Sequence, residues 1–137
     1  MTAIFVDTSA FLAISNGKDE HHREAVEFLH SIMRRREFTR IITSDYVLDE
    51  TVTGIRFAVG HEAALKWIKN VMASEVLEVL RVDKEVFDKA LELFERYSDK
   101  FLSFTDCTSF ALMEKKRIRA AFTFDEDFEK VGFERYP

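Results

Sequence analysis

One cysteine, one proline and four glycines in 137 residues leave this chain with few of the residues that staple or punctuate a fold. Cys107 alone can form neither an internal disulfide nor a multi-cysteine zinc site, so sulfur chemistry drops out. The one proline is residue 137 itself, and no Pro- or Gly-rich linker, low-complexity tract or repeat interrupts the sequence. Long apolar runs are missing as well. The longest, Ala10 to Ile14, is five residues, against the roughly 18 that a membrane span requires. The sequence runs straight into Ala3-Ile4-Phe5-Val6 with no basic residue before Lys18, so it shows no secretory pattern and the expected location is the cytoplasm. Excess positive charge is absent too. Twenty Lys and Arg against 25 Asp and Glu give a net charge of -5, which argues against holding nucleic acid by bulk charge. Missing GxxxxGK, GxGxxG and GxSxG patterns remove the usual P-loop, dinucleotide and α/β-hydrolase signals. The four histidines form no i, i+4 pair, so histidine ligation of a metal is not expected.

What the chain does have is apolar mass: 47% hydrophobic residues, among them 14 phenylalanines, enough for one core and one domain over residues 1–137. Thr2 to Val6 reads as a short buried strand that stops at Asp7. Asp19 to Arg36 is helical, with Ala25, Phe28, Leu29, Ile32 and Met33 at 3.6-residue spacing and bases late, as the macrodipole favours. Arg40 to Thr43 predicts a second strand, and Ser44 caps a helix from Asp45 to about Ala58. A helix over His61 to Met72, a β-rich run from Val76 to Val82 and a helix opened by Asp83 follow. Ser103 caps another helix to about Lys116. Arg119 to Phe124 is a strand ending at Asp125, and a helical turn leads to a last short strand near Phe133. Strand and helix in alternation predict an α/β fold: a central, mainly parallel sheet with helices on both faces, a three-layer α/β/α sandwich.

Ligand sites in open parallel sheets form beyond the carboxyl ends of the strands. Asp7 and Asp125 sit there. Glu50, in the second turn of its helix, shares a mostly apolar face with Tyr46, Val47, Gly54 and Phe57. Asp106 lies in the first turn of its helix with Phe110 and Met113 on the same face. Four carboxylates at one edge would raise one another's pKa, and a hard divalent cation such as Mg²⁺ or Mn²⁺ resolves that conflict with oxygen ligands. Such an ion suits nuclease or phosphatase chemistry. Each acid also has a plainer reading. Asp7 can cap a helix at Thr8, Asp125 can cap the turn at Glu126, and Ser103 to Asp106 spells a capping box. Taken singly the cap is the better reading; convergence is what caps do not predict. Arg34 to Arg36, and Lys115, Lys116, Arg117 and Arg119, could grip RNA phosphates around the acidic centre or simply be solvated helix ends.

Ile4-Phe5-Val6-Asp7-Thr8-Ser9, Thr43 to Glu50, Phe104-Thr105-Asp106 and Thr123-Phe124-Asp125-Glu126-Asp127-Phe128 together resemble the PIN-domain ribonucleases, and among them the VapC toxins, over essentially the whole chain. The resemblance implies Mg²⁺- or Mn²⁺-dependent hydrolysis of RNA phosphodiesters, a homodimer, and an antitoxin partner. It implies an acidic quartet of Asp7, Glu50, Asp106 and Asp125, with Asp127 an outer acid and Thr8, Ser9 and Thr123 as the hydroxyls that orient ligands or metal-bound water. Two departures stand out: Cys107-Thr108-Ser109 is more polar than the Ala-rich stretch usual after the third acid, and the Asp125/Asp127 pair leaves the fourth ligand open. The alternatives are a catalytically idle PIN scaffold that binds RNA or protein, and a metal-dependent phosphatase. A haloacid-dehalogenase-like phosphatase, however, would want D-x-D where this chain has Asp7-Thr8-Ser9.

Overall fold

The computed structural model describes residues 2–137. Its elements are β1 (Ala3–Val6), α1 (Thr8–Ser15), α2 (His22–Arg35), β2 (Arg40–Ser44), α3 (Asp45–Ala58), α4 (His61–Ala73), β3 (Leu77–Leu80), α5 (Lys84–Arg96), α6 (Phe104–Lys116), β4 (Ala120–Phe122), α7 (Asp127–Lys130) and β5 (Glu134–Tyr136). The five strands form one sheet in the order β3-β2-β1-β4-β5, and every pairing is parallel. The chain moves outward from β1 through β2 to β3, then returns to the far side of β1 for β4. Right-handed crossovers that reverse direction in this way put helices on both faces of the sheet.

Two helices follow each of β1, β2 and β3, and a single short α7 follows β4. The helix that Asp7 can cap at Thr8 is present as α1 ahead of α2, with the apolar run Ala10 to Ile14 on an eight-residue helix too short to show a period. The helix expected from Asp19 starts at His22, since Asp19 instead closes a turn by accepting from the His21 amide at 2.8 Å. The strand expected through Phe124 ends at Phe122; the Thr123 amide still donates to the Tyr136 carbonyl of β5, but the amides of Phe124 and Asp125 turn to the hydroxyls of Ser9 and Thr123. The last strand falls at Glu134–Tyr136, just past Phe133, and the third narrows to Leu77–Leu80.

Ile4, Phe5, Ile42 and Phe122 of the three central strands are fully buried, and Phe28 of α2 packs edge-on against Phe122 at 4.7 Å. On α6 every residue from Cys107 to Met113 is buried, so this helix is enclosed on all sides. That explains the polar triplet after Asp106: Cys107, Thr108 and Ser109 are core residues, with the Thr108 hydroxyl donating to the Thr105 carbonyl at 2.6 Å. α1 crosses close to α3 at Gly54, where a Cβ would stand 3.0 Å from Leu12 Cδ2. This contact sets the carboxyl end of β1 beside the helix that carries Glu50. Among the described residues no helix is long and apolar enough to cross a membrane.

Candidate active site

Asp7 leaves the central strand in extended conformation and is the N-cap of α1. It is also more than a cap. The Ser9 hydroxyl at 3.0 Å, the Ser9 amide at 3.4 Å and the Thr123 hydroxyl at 2.9 Å all donate to the same oxygen, Oδ2. Ser9 and Thr123 each have one proton and both give it to Asp7. With their lone pairs they accept the amides of Phe124 and Asp125, each at 3.0 Å. The start of α1 and the end of β4 are thereby tied through one carboxylate. The other oxygen, Asp7 Oδ1, is buried and has no hydrogen-bond partner among the described residues. Asp7 is 3% exposed, and burial pushes its pKa up to about 6 against the pull of its donors.

Asp106 is the third residue of α6 and completes the capping box foreseen for it. Its carboxylate accepts the Ser103 amide at 3.0 Å, and the Ser103 hydroxyl accepts the Asp106 amide at 3.0 Å. Burial first, then repulsion from Asp7, Asp125 and Glu50, raises its pKa to about 7. The four acids thus share one electrostatic neighbourhood at the carboxyl edge of the sheet. Burial and the Asp106 charge also push the neighbouring Cys107 thiol up to about 11, which leaves it protonated and unreactive at neutral pH.

The remaining expected residues fall as follows. Glu50 is half-buried in the second turn of α3, on a face less apolar than its spacing suggested, since Phe57 is exposed. Asp125 follows β4 by three residues and accepts the Asp127 amide at 2.9 Å, which opens α7. Asp127 lies 3.9 Å from Lys130 and is not among the charges that raise Asp106. Thr8 is buried with its hydroxyl unpartnered. Asp7, Asp106 and Asp125 all close local turns, and the charges of Asp7 and Asp125 also reach Asp106.

Two residues belong to this edge that sequence reasoning did not select. His21, just ahead of α2, stacks flat on Phe124 with ring centroids 4.4 Å apart. No local signal joins positions 103 residues apart. The basic clusters, by contrast, do not surround the acids. Arg34 to Arg36 and Lys115 to Arg119 lie at the amino end of the sheet, because helices that return antiparallel to the strands end there.

Among the described residues no three acidic, histidine or cysteine side chains close into a finished metal cage. The donor set nevertheless fits a hard cation. A buried carboxylate oxygen without a donor is costly, and so is an acid held among three others. A hard cation held by Asp7 and Asp106 would relieve both.

A three-layer α/β domain whose acids meet beyond the ends of parallel strands, with hydroxyls bracing the first of them, is the architecture of the PIN nucleases. The PIN domain family model matches residues 4–134, and the chain belongs to that family. It is 37% identical over 130 residues to the 23S rRNA-specific endonuclease VapC20 of Mycobacterium tuberculosis, covering 95% of each chain. The crystal structure of that relative, described as a sarcin-ricin loop cleaving toxin, superposes with a TM-score of 0.87 at 36% identity over 95% of both chains. A VapC ribonuclease of Archaeoglobus fulgidus is 30% identical over 128 residues, which span 92% of this chain and 79% of the relative. The DNA-bound VapBC structure from Salmonella typhimurium shares the fold, with a TM-score of 0.66 at 18% identity over 99% of this chain and 98% of that one.

Proposed function

We propose that the chain is an endoribonuclease dependent on Mg²⁺ or Mn²⁺, acting as the toxin of a toxin-antitoxin pair. One observation carries the metal assignment: Asp7 directs three donors to Oδ2 and keeps Oδ1 buried and bare. Asp7 and Asp106 would hold the ion, with Glu50 and Asp125 completing or extending the set. When bound, such an ion supplies charge for the phosphoryl group and lowers the pKa of a coordinated water. The chain's own residues do the rest. Ser9 and Thr123 fix the rotamer of Asp7, and their remaining lone pairs anchor the backbone that presents Asp125. Glu50, on the opposite helix, is placed to accept a proton from water or to orient it.

The names of the relatives support RNA as the substrate and make 23S rRNA the first one to test. The antitoxin reading rests on solved relatives that are VapBC complexes. Pairing of two copies is supported by the exposed row Phe87, Leu91 and Phe94 on α5. The test is incubation of purified protein with labelled 23S rRNA in Mg²⁺, Mn²⁺ or EDTA, beside Asp7→Asn. Cleavage by the wild type alone, lost in EDTA, is expected; equal cleavage by Asp7→Asn would refute the assignment.

A further inference from the structure

Eight of the twenty Lys and Arg residues, Arg34 to Arg36, Arg40, Lys115 to Arg117 and Arg119, lie toward the end of the sheet opposite the acids. Part of this follows from topology. Helix C-termini favour bases, and in this fold the helices end beside the starts of strands, which accounts for Arg34 and Arg35 on α2 and Lys115 and Lys116 on α6. It does not account for Arg40 and Arg119. Arg40 opens β2 opposite Ala3, while Arg119 immediately precedes Ala120, the partner of Ile4. The two arginines therefore flank the start of β1, about 10 Å apart across two strand spacings.

A cavity of about 330 Å³ opens here, lined by Arg40, Lys116, Arg117 and Arg119, with Phe38 and Tyr136 also in its wall. Arg40 is paired with Glu78, and Glu134 also reaches the cavity. Lys116, Arg117 and Arg119 are exposed and have no carboxylate partner within 4.0 Å among the described residues. Lys116 acts at longer range on Glu78 and Asp83, and Arg119 donates to the Gly132 carbonyl at 3.4 Å, so Arg117 and Arg119 are the cations of the cleft with no acid drawing on their charge.

We propose that this cleft is a second RNA contact, which binds phosphates of a folded RNA whose scissile bond lies at the acids. The RNA assignment rests on the ribonuclease reading. Four carboxylates outweigh the charge of one divalent ion, so the acidic edge attracts a polyanion weakly and further affinity is needed from elsewhere on the surface. β1 is four residues long, so about 13 Å of strand separates the cleft from Asp7. At about 3.4 Å or more per nucleotide, a dinucleotide seated at the acids stops short of it, whereas a stem-loop reaches both ends. Duplex RNA is recognised through its shape and phosphates, which suits arginines and a lysine around an open cavity better than base readout would.

The test uses Asp7→Asn protein to prevent cleavage, and three fluorescein-labelled probes: a stem-loop RNA of about 30 nucleotides, a dinucleotide, and duplex DNA of the stem sequence. Anisotropy between about 50 and 200 mM salt gives Kd and its salt slope. Arg117→Glu/Arg119→Glu should weaken stem-loop binding by about tenfold or more and lower the salt slope by about 2, near one per lost phosphate contact. Dinucleotide binding should be unchanged. Arg117→Gln/Arg119→Gln should fall between. Lys66→Glu/Lys69→Glu, an equal charge change on α4, should leave stem-loop binding intact, and thermal melts confirm that all variants fold. Equal loss in the α4 variant, or no loss in either, overturns the cleft. Duplex DNA bound as tightly as the stem-loop overturns the RNA assignment. With Asp7 restored, Arg117→Glu/Arg119→Glu should raise KM for folded RNA at unchanged kcat. If the wild type binds through these residues yet cleaves nothing, the cleft stands and the nuclease reading falls.

Discussion

The Thr123 hydroxyl donates to Asp7 Oδ2 at 2.9 Å, joining the ends of two adjacent parallel strands across 116 residues of sequence. The same oxygen of Thr123 accepts the Asp125 amide. One buried threonine thus orients the first acid of the site and the backbone of the fourth.

Thr123→Val keeps the shape and removes both bonds. The Asp125 amide and Asp7 Oδ2 lose partners in a buried place, at about 1 to 3 kcal/mol of stability, measurable by urea unfolding. Metal-dependent activity should drop about 10- to 100-fold, as for the supports of other metal ligands. Thr123→Ser should restore most of both.

Asp7→Asn and Asp106→Asn should each abolish RNA cleavage and also change stability in a direction that caps alone do not predict. In EDTA near pH 7.5 removal of one mutually repelling charge should raise Tm by about 3 °C or more. The further rise on adding Mn²⁺, which stabilises by binding the folded state, should shrink. Asn caps nearly as well as Asp, so a lower Tm in EDTA with an undiminished Mn²⁺ response would identify the acids as purely structural.

The pH dependence of the metal-free protein follows from the same two groups. Folded pKa values of about 6 for Asp7 and about 7 for Asp106, against 3.8 in the unfolded chain, mean that the folded state holds protons the unfolded state has released. Their contribution therefore favours folding below about pH 4 and is lost as pH rises to about 7. Glu78 and Asp83, whose pKa values are lowered by Arg40 and by the Val86 amide respectively, act in the opposite sense, but below this window. Melting in EDTA should fall between pH 5 and 7.5, and Asp106→Asn should flatten the decline.

Asp125→Asn should impair cleavage more than Asp127→Asn. Asp125 is among the charges that raise Asp106, whereas Asp127 lies near Lys130. Initial rates of the two variants at saturating Mn²⁺ decide between them, and a more damaging Asp127→Asn would reverse the order.

The amino-acid pattern by itself determined what depends on neighbours within a few positions. Ser44 fixed the start of α3, and the run Asp45 to Ala58 came out at its expected ends. The box from Ser103 to Asp106 and the end of its helix at Lys116 were equally readable, because caps and apolar period are local physics. Of the short α1 only the cap at Asp7 was legible, since eight residues carry fewer than three turns of pattern. Tertiary structure alone decided which carboxylate oxygen is satisfied and which stays bare, that His21 covers Phe124, and that the bases stand opposite the acids rather than around them. Those facts depend on strand order and register. β1 lies between β2 and β4, and only that placement turns an Asp after one strand and a Thr after another, 116 residues on, into hydrogen-bonded neighbours.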